Sequence, residues 1–458
     1  MNILFITAGN DYSTAFTNQE DYINSLALSL GKRNVGINIV SPCLKFHDKF
    51  DRKPICEFNQ ILEDFDVKCK VYLKECDGFK KYLIDISTRP DKRSLIKPGK
   101  INLIYNLSVY NFILKYCTDI SAICTFGLST ALLQVYMRYG KHRPYFKKIR
   151  TVHLINILSD NSCLDGELLK YLPKKEDAVN IMRLGGNFDL NRAAIICADR
   201  VVVGSTSYSA DLKSEAKEAR YCHTVRQFGF KLKGIEKGLE YNLLSKKNDI
   251  IKYPYDRIDI KNKTKNKLYL QKLLNMKVSE DIPLIASFCQ SKHDLEYTLI
   301  TSASKMVLNA DAQLIISINS SETDWDLRET KNDNLRIIYT NDTALKMQIL
   351  CSSDIYIHCP PVSPDGCDVA FSCKCGTVPI VYYTGGAKDV IKYYDRTDKS
   401  GNGFTFNTYN SHDMLYTVWD CLSMFRNEKH HWQQIVNNAI SCDFSIDKNA
   451  QKLLEFIS

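Results

Sequence analysis

Short apolar, β-branched runs alternate with longer stretches of helical spacing along nearly all of this 458-residue chain, and that alternation restricts the fold most. NILFIT at 2–7 is apolar almost throughout, the pattern of a strand covered on both faces. Tyr22, Ile23, Leu26 and Leu30 then recur at helical spacing until Gly31, a stop, and INIV at 37–40 supplies the next strand. Further strands are expected at 122–124, 149–153 and 200–203. A second series opens with PLIASF at 283–288 and continues with LIIS at 314–317, RIIY at 336–339, IYI at 355–357 and VPIVY at 378–382. Helical text returns at 411–426 and 429–440, and a polar stretch at 240–265 between the series predicts a hinge. Strand–helix–strand units with right-handed crossovers build parallel sheets. The expected architecture is α/β, with two doubly wound Rossmann-like domains facing a central cleft lined by strand carboxyl ends.

Composition narrows the setting. Hydrophobic residues make up 45% and charged residues 25%, as in ordinary globular domains, and no apolar run reaches the length of a membrane span. The amino terminus lacks a basic region before its apolar run, so it predicts a buried strand rather than a signal peptide. Seventeen cysteines are scattered, many inside apolar runs such as IIC at 195–197. Cys373 and Cys375 have a single residue between them and no second pair at a fixed distance, so no metal site is expected. Free thiols in a reducing, cytoplasmic compartment are the expectation. The net charge of +9 is concentrated in KNKTKNK at 261–267 and in 141–150. Without interleaved aromatic residues these runs predict a solvated helix start or loop, and nucleic acid is the least supported partner.

Between 362 and 391 the chain reads VSPDGCDVAFSCKCGTVPIVYYTGGAKDVI. This segment resembles the donor-binding text of bacterial and plant starch/glycogen synthases, retaining glucosyltransferases of the GT-B fold, in which E-P-C-G-L, Y-G-T-x-P-x-V and T-G-G-L-x-D-T-V follow one another. Gly376, Thr377, Pro379, Val381, Thr384, Gly385, Gly386 and Asp389 stand at matching offsets. Elsewhere TVH at 151–153 resembles the family's T-V-H-N, and NRAAIICADRVVVGSTSYSADL at 191–212 resembles its K-A-x-x-x-A-D block. GIEKG at 234–238, GNGFTF at 401–406 and AISCDFSI at 439–446 resemble its G-V-L-N-G, G-F-x-F and A-M-x-x-D-F-S-W. The resemblance implies an acceptor-side domain at 1–240, a nucleotide-sugar-side domain at 241–436, and a last segment, 437–458, whose helix returns to the first domain.

Transfer from a nucleotide sugar leaves negative charge on the departing pyrophosphate and places positive charge on the sugar ring, so such a site needs cations and a carboxylate. The family supplies the phosphate side from K-x-G-G and from S-R-L-x-x-Q-K-G. Here the first aligns with Ala15, Phe16, Thr17 and Asn18, where Thr17 or Asn18 caps a helix. The second aligns with FCQSKH at 288–293, leaving Lys292 as the candidate cation. The family's catalytic histidine aligns with Ser129 and its glutamate with Ser363. What remains for a nucleotide or phosphate is Lys292, the backbone at Gly366 and Cys367, and the turn Thr384, Gly385 and Gly386. Glycines there serve turn geometry equally well. His153 is a cleft candidate against the more common structural histidine, and His430 and His431 predict an exposed turn rather than a metal site. Asp365 and Asp368, where the family has Cys and Thr, offer a carboxylate pair with any acid–base role new to the family.

Three functions compete. The first is a pseudoenzyme: a synthase-like scaffold without the usual glucosyl transfer, binding a glycan, a nucleotide or a protein partner. The second is an active retaining glycosyltransferase with a rebuilt site. The third, nucleotide or nucleic-acid handling, has only the basic runs behind it. No cofactor is expected beyond a weakly held nucleotide or nucleotide sugar.

Overall fold

The computed structural model describes residues 1–9, 15–16, 18–43, 53–62, 65–87, 98–158, 162–214, 220–241, 250–256, 258–319, 326–328 and 332–458. They form two compact units. The first runs to Lys237 and includes Ile446–Ser458, and the second runs Gly238–Ser445 and takes in Ala15 and Phe16.

The first unit is built on β1 (Asn2–Thr7), β2 (Gly36–Pro42), β3 (Cys56–Leu62), β4 (Phe65–Cys76), β5 (Phe79–Ser87), β6 (Ala122–Phe126) and β7 (Arg150–Ile155). A two-residue pair, β8 (Arg183–Leu184) and β9 (Asn187–Phe188), stands apart, and β10 (Arg200–Val203) and β11 (Leu232–Gly234) complete the main sheet. Its order is β11-β10-β7-β6-β1-β2-β5-β4-β3, parallel as far as β5 and antiparallel across β5, β4 and β3. The strands β3, β4 and β5 at one side of the sheet, and β11 at its other edge, were not foreseen from the sequence. Alternate residues of β1 face opposite layers. Leu4 and Ile6 pack with α2 (Pro98–Tyr116) and α3 (Ala131–Tyr139), whereas Ile3 and Phe5 pack with α1 (Gln19–Gly31). Asn18 caps α1, its side chain accepting from Asp21 N–H at 2.9 Å, with Glu20 and Asp21 suited to the helix amino end. Thr17 lies outside the described residues. The short α4 (Arg143–Phe146) and α5 (Leu190–Cys197) follow on the α3 side.

The second unit is a seven-stranded sheet of β12 (Leu284–Cys289), β13 (Gln313–Ile318), β14 (Asp326–Arg328), β15 (Leu335–Tyr339), β16 (Ile355–His358), β17 (Val378–Tyr382) and β18 (Phe404–Phe406), in the order β14-β15-β13-β12-β16-β17-β18. Every pairing is parallel except β14 with β15. All six residues of β12 are buried, which is why the strand is apolar without alternation. Its helices are α6 (Asn262–Leu273), α7 (Leu295–Asn309), α8 (Thr343–Ser352), α9 (Cys367–Lys374), α10 (Ala387–Val390), α11 (Ser411–Asn427) and α12 (Lys429–Ser441). The last helix, α13 (Ile446–Ile457), buries Ile446, Ala450, Leu453 and Ile457 along one stripe in the first unit's core with Ile23 and Leu26 of α1.

One surface expectation changes. The lysine run at 261–267 opens α6, and two of its lysines turn inward instead of being solvated, Lys263 half-buried and Lys267 buried. Lys263 donates to the carbonyls of Cys351 and Cys375, both at 3.1 Å, and Lys267 pairs with Asp354 at 2.7 Å. Positions 263 and 267 are four apart, so one face of the helix carries both inward. Within the stretch expected as a hinge, Tyr255 is buried and donates to the carbonyls of Cys351 and Cys375. Residues 242–249 of that stretch lie outside the described residues. All seventeen cysteines are free thiols, and among the described residues no helix is long and apolar enough to cross a membrane.

Candidate functional site

The carboxyl ends of the second sheet carry the loops singled out by sequence. After β16 the chain turns through Ser363 and Gly366 into α9, and after β17 it turns through Thr384, Gly385 and Gly386 into α10. The two turns meet backbone to backbone. Gly386 N–H donates to the Ser363 carbonyl at 2.6 Å. Gly385 has φ +46°, and a Cβ there would stand 2.1 Å from the same carbonyl oxygen. Gly366 has φ +65°, and its Cβ would meet the Gly386 carbonyl at 2.6 Å. Both positions require glycine, for the left-handed backbone and for the close approach. Three of the donors expected to face a phosphate are engaged within the loops: Cys367 N–H donates to Asp365 Oδ1 at 3.0 Å, Thr384 N–H to the Tyr382 carbonyl at 2.8 Å, and Gly386 N–H to the Ser363 carbonyl. Thr384 and Cys367 are buried.

Ser363, expected at the family's glutamate position, is buried and lies 3.2 Å from His358 Nε2, while the Tyr356 hydroxyl lies 3.1 Å from His358 Nδ1. Burial pushes the His358 pKa down to about 4, against the pull of the nearby Asp365 carboxylate. Tyrosine, imidazole and serine therefore form an uncharged chain at neutral pH. It is able to relay a proton but cannot stabilise positive charge on a sugar ring as a carboxylate does.

The segments expected on the phosphate side carry aromatic rings that pack together. Phe16 is 2% exposed and packs edge-on to Phe288 at 5.2 Å and tilted against Phe371 at 5.3 Å between ring centroids. Such pairs are favoured beyond their buried area. Ala15 N–H donates to both oxygens of Asp368, at 3.1 and 3.3 Å, which fixes the Phe16 segment on α9. Lys292 is exposed on the turn between β12 and α7.

Three titratable groups at these strand ends escaped the sequence analysis. Glu296, near the start of α7, is 6% exposed and accepts from Cys359 N–H at 2.8 Å. Burial raises its pKa to about 8; the bond from Cys359 opposes the shift, and Asp368 and Asp294 add to it. Lys346 of α8 is buried against Asn319 Oδ1, and burial lowers its pKa. His358 closes β16. The signals were present: Glu296 and Lys346 interrupt apolar helix stripes with Leu299 and Ile300 and with Ile349 and Leu350, and His358 ends a strand where α/β sheets place ligands.

The first unit holds the other two candidates. Ser129 accepts from Asn102 Nδ2 at 3.3 Å, and its carbonyl from Asn106 Nδ2 at 2.7 Å, tying its turn to α2. His153 lies within β7, wholly buried, with Nδ1 2.8 Å from Thr125 Oγ1 and Nε2 without a hydrogen-bond partner. Burial alone drives its pKa to about 3, so it is neutral. The structure thus gathers Ser363, Gly366, Cys367, Thr384, Gly385 and Gly386 in one loop pair, with Lys292 exposed on a separate turn. His431 lies on α12 with Nδ1 3.1 Å from the Tyr394 hydroxyl, and among the described residues no three His, Cys, Asp or Glu side chains gather as metal ligands.

Comparison with known proteins agrees with this architecture. Residues 2–235 match the model of the starch synthase catalytic domain. The glycogen synthase of Clostridioides difficile is 26% identical over 457 residues, covering 95% of this chain and 94% of the relative. That of Streptococcus uberis is 30% identical over 312 residues, covering 66% and 65%. Among solved structures, the catalytic domain of starch synthase IV from Arabidopsis thaliana, bound to ADP and acarbose, superposes with a TM-score of 0.85 at 18% identity, covering 100% of this chain and 98% of that one. Sucrose-phosphate synthase from Thermosynechococcus elongatus gives 0.57 at 14% identity.

Proposed function

This chain belongs to the starch synthase catalytic domain family, and from that membership we propose that it keeps the scaffold as a binding protein without the usual glucosyl transfer. The observation that carries the proposal is the burial of Phe16 against Phe288, in the two segments that align with the family's phosphate-binding cations, with Phe371 of α9 packed beside them. A pyrophosphate leaving group needs positive charge, and the three rings supply an apolar surface that excludes it. The opposite requirement, a carboxylate beside the sugar, meets Ser363 in an uncharged chain with His358. Both electrostatic halves of the reaction are therefore missing together, which a single displaced residue does not explain.

Of the two ligands named for the Arabidopsis domain, ADP depends on the missing charges, so the binding role proposed here is toward a glycan or a protein rather than a nucleotide. Each absent charge-assisted contact is worth about 1.5–3 kcal/mol. Calorimetry with ADP and UDP is then expected to give millimolar or weaker binding. Micromolar binding means that the phosphate site has been rebuilt.

One observation favours the second reading, an active transferase with new groups. Glu296, Asp368 and Lys346 bring two carboxylates and a cation to the strand ends, with Asp368 adding to the raised pKa of Glu296 and opposing the lowered pKa of Lys346. Glu296 is held neutral by its burial, and Asp368 is occupied by Ala15 N–H, so neither is placed as a free carboxylate.

A further inference from the structure

A cavity of about 150 Å³ opens in the first unit, lined by Gln134, Arg138, Arg143 and Lys147 together with Thr151 and Asp199. It lies at the amino ends of strands: Thr151 is the second residue of β7, and Asp199 directly precedes β10. Doubly wound folds hold their ligands at the other ends, so this cavity is not at the ligand end of the first sheet.

Its polar groups are incompletely used. Arg143 Nε and Gln134 Oε1 are buried with no hydrogen-bond partner. Gln134 is fixed by its amide nitrogen, which donates to Thr125 Oγ1 at 2.8 Å and to the Val152 carbonyl at 3.3 Å. That leaves the amide oxygen as a held acceptor in search of a donor. Among the described residues, no hydrogen bond or ion pair engages the side chains of Arg138, Arg143 or Lys147. The one carboxylate, Asp199, is already bound by Thr151, its Oδ2 accepting from the backbone N–H at 2.9 Å and from the hydroxyl at 3.0 Å. The Cys197 thiol, also on the wall, stays neutral because burial pushes its pKa up to about 12. Three cations, Arg143 half-buried and Arg138 and Lys147 exposed, thus line the cavity with one engaged carboxylate. Buried polar groups are ordinarily satisfied, so an orphan donor and an orphan acceptor in one lining point to a ligand that supplies both partners.

We propose that this cavity binds a phosphate group. Phosphate carries anionic oxygens for the guanidinium groups, which bind it as planar forks, and at neutral pH an inorganic phosphate also keeps an O–H for Gln134 Oε1. At about 30 Å³ per water, the volume holds roughly five waters or one such anion. The source is either inorganic phosphate or a small phosphomonoester whose organic part supplies the hydroxyl donor.

Calorimetry on the full chain tests this, titrating sodium phosphate, sodium sulfate and glycerol 3-phosphate at constant ionic strength set with sodium chloride. Saturable phosphate binding is expected, tighter than sulfate, which has no O–H to give. Glycerol 3-phosphate binding more tightly than phosphate assigns the phosphomonoester source, and the reverse order assigns the inorganic ion. Replacing Arg138→Ala and Arg143→Ala together is expected to weaken binding at least tenfold. Arg143→Lys, which keeps the charge and loses the Nε–H, is expected to lose part of that, and it replaces the double variant if the latter does not fold. Wild-type protein without saturable phosphate binding overturns the proposal, as do variants that bind as tightly as wild type.

Discussion

Glu296 and the two buried histidines give stability opposite slopes with pH. Glu296 titrates at about 8 in the folded chain, whereas an unperturbed glutamate titrates near about 4.3. Between these values the folded state holds a proton that the unfolded chain has released, so stability falls as pH rises through the window. His153 and His358 titrate at about 3 and about 4, below the usual histidine value of about 6.5. Below that value the unfolded chain takes up protons that the folded one refuses, so stability falls again as pH drops. Urea midpoints are expected to decline from pH 6 to pH 8, and Glu296→Gln is expected to flatten that limb while leaving the acid limb intact. An equally steep decline in the variant places the neutral carboxyl elsewhere. Phe16→Ala is expected to cost about 3 kcal/mol in the unfolding of the second unit, the range for removing a buried ring. A cost near zero means that the segment carrying Phe16 does not seal the Phe288 and Phe371 surface in solution. Nothing in the sequence signals that Phe16 and Phe288 meet, because they are far apart in the chain and only packing joins them.

At the scale of elements, the legible parts were the strands whose burial on both faces leaves an apolar run, as in β1, β12 and β17. The hairpin of β4 and β5 was missed because its alternation places Lys68, Lys70 and Lys74 on one side and reads as a charged surface. A turn signal was there: Asp77 and Gly78 join Cys76 to its partner Phe79, with Gly78 at φ +79°. The lysines of α6 were misplaced for a different reason. A run of lysines does not reveal the phase of its helix, and phase decided which two turned inward. The paired turns after β16 and β17 were legible as glycines but not as a contact. Gly385→Ala is therefore expected to destabilise the second unit by more than about 2 kcal/mol, since its Cβ would stand 2.1 Å from a carbonyl oxygen. Gly185→Ala is the control, with φ +56° but nothing within 4 Å of its Cβ, and is expected to cost about 1 kcal/mol. Equal costs at the two glycines, read from chemical denaturation, mean that backbone strain alone matters and the close approach does not.

For the whole molecule, fold and chemistry separate. Two mostly parallel sheets with covered faces are each maintained by apolar strands, and in the function proposed here the charged groups expected at the strand carboxyl ends of the second sheet give way to rings, serine and buried acids. That separation is why the sequence carried the fold so much further than the function: strand burial tolerates many substitutions, and a phosphate site tolerates few. The most direct measurement is nucleotide release from ADP-glucose or UDP-glucose in the presence of glycogen and the purified chain. No release above a control without protein is the predicted result. Release that disappears in Lys292→Ala would contradict the account, because it would restore that exposed lysine as a working phosphate ligand.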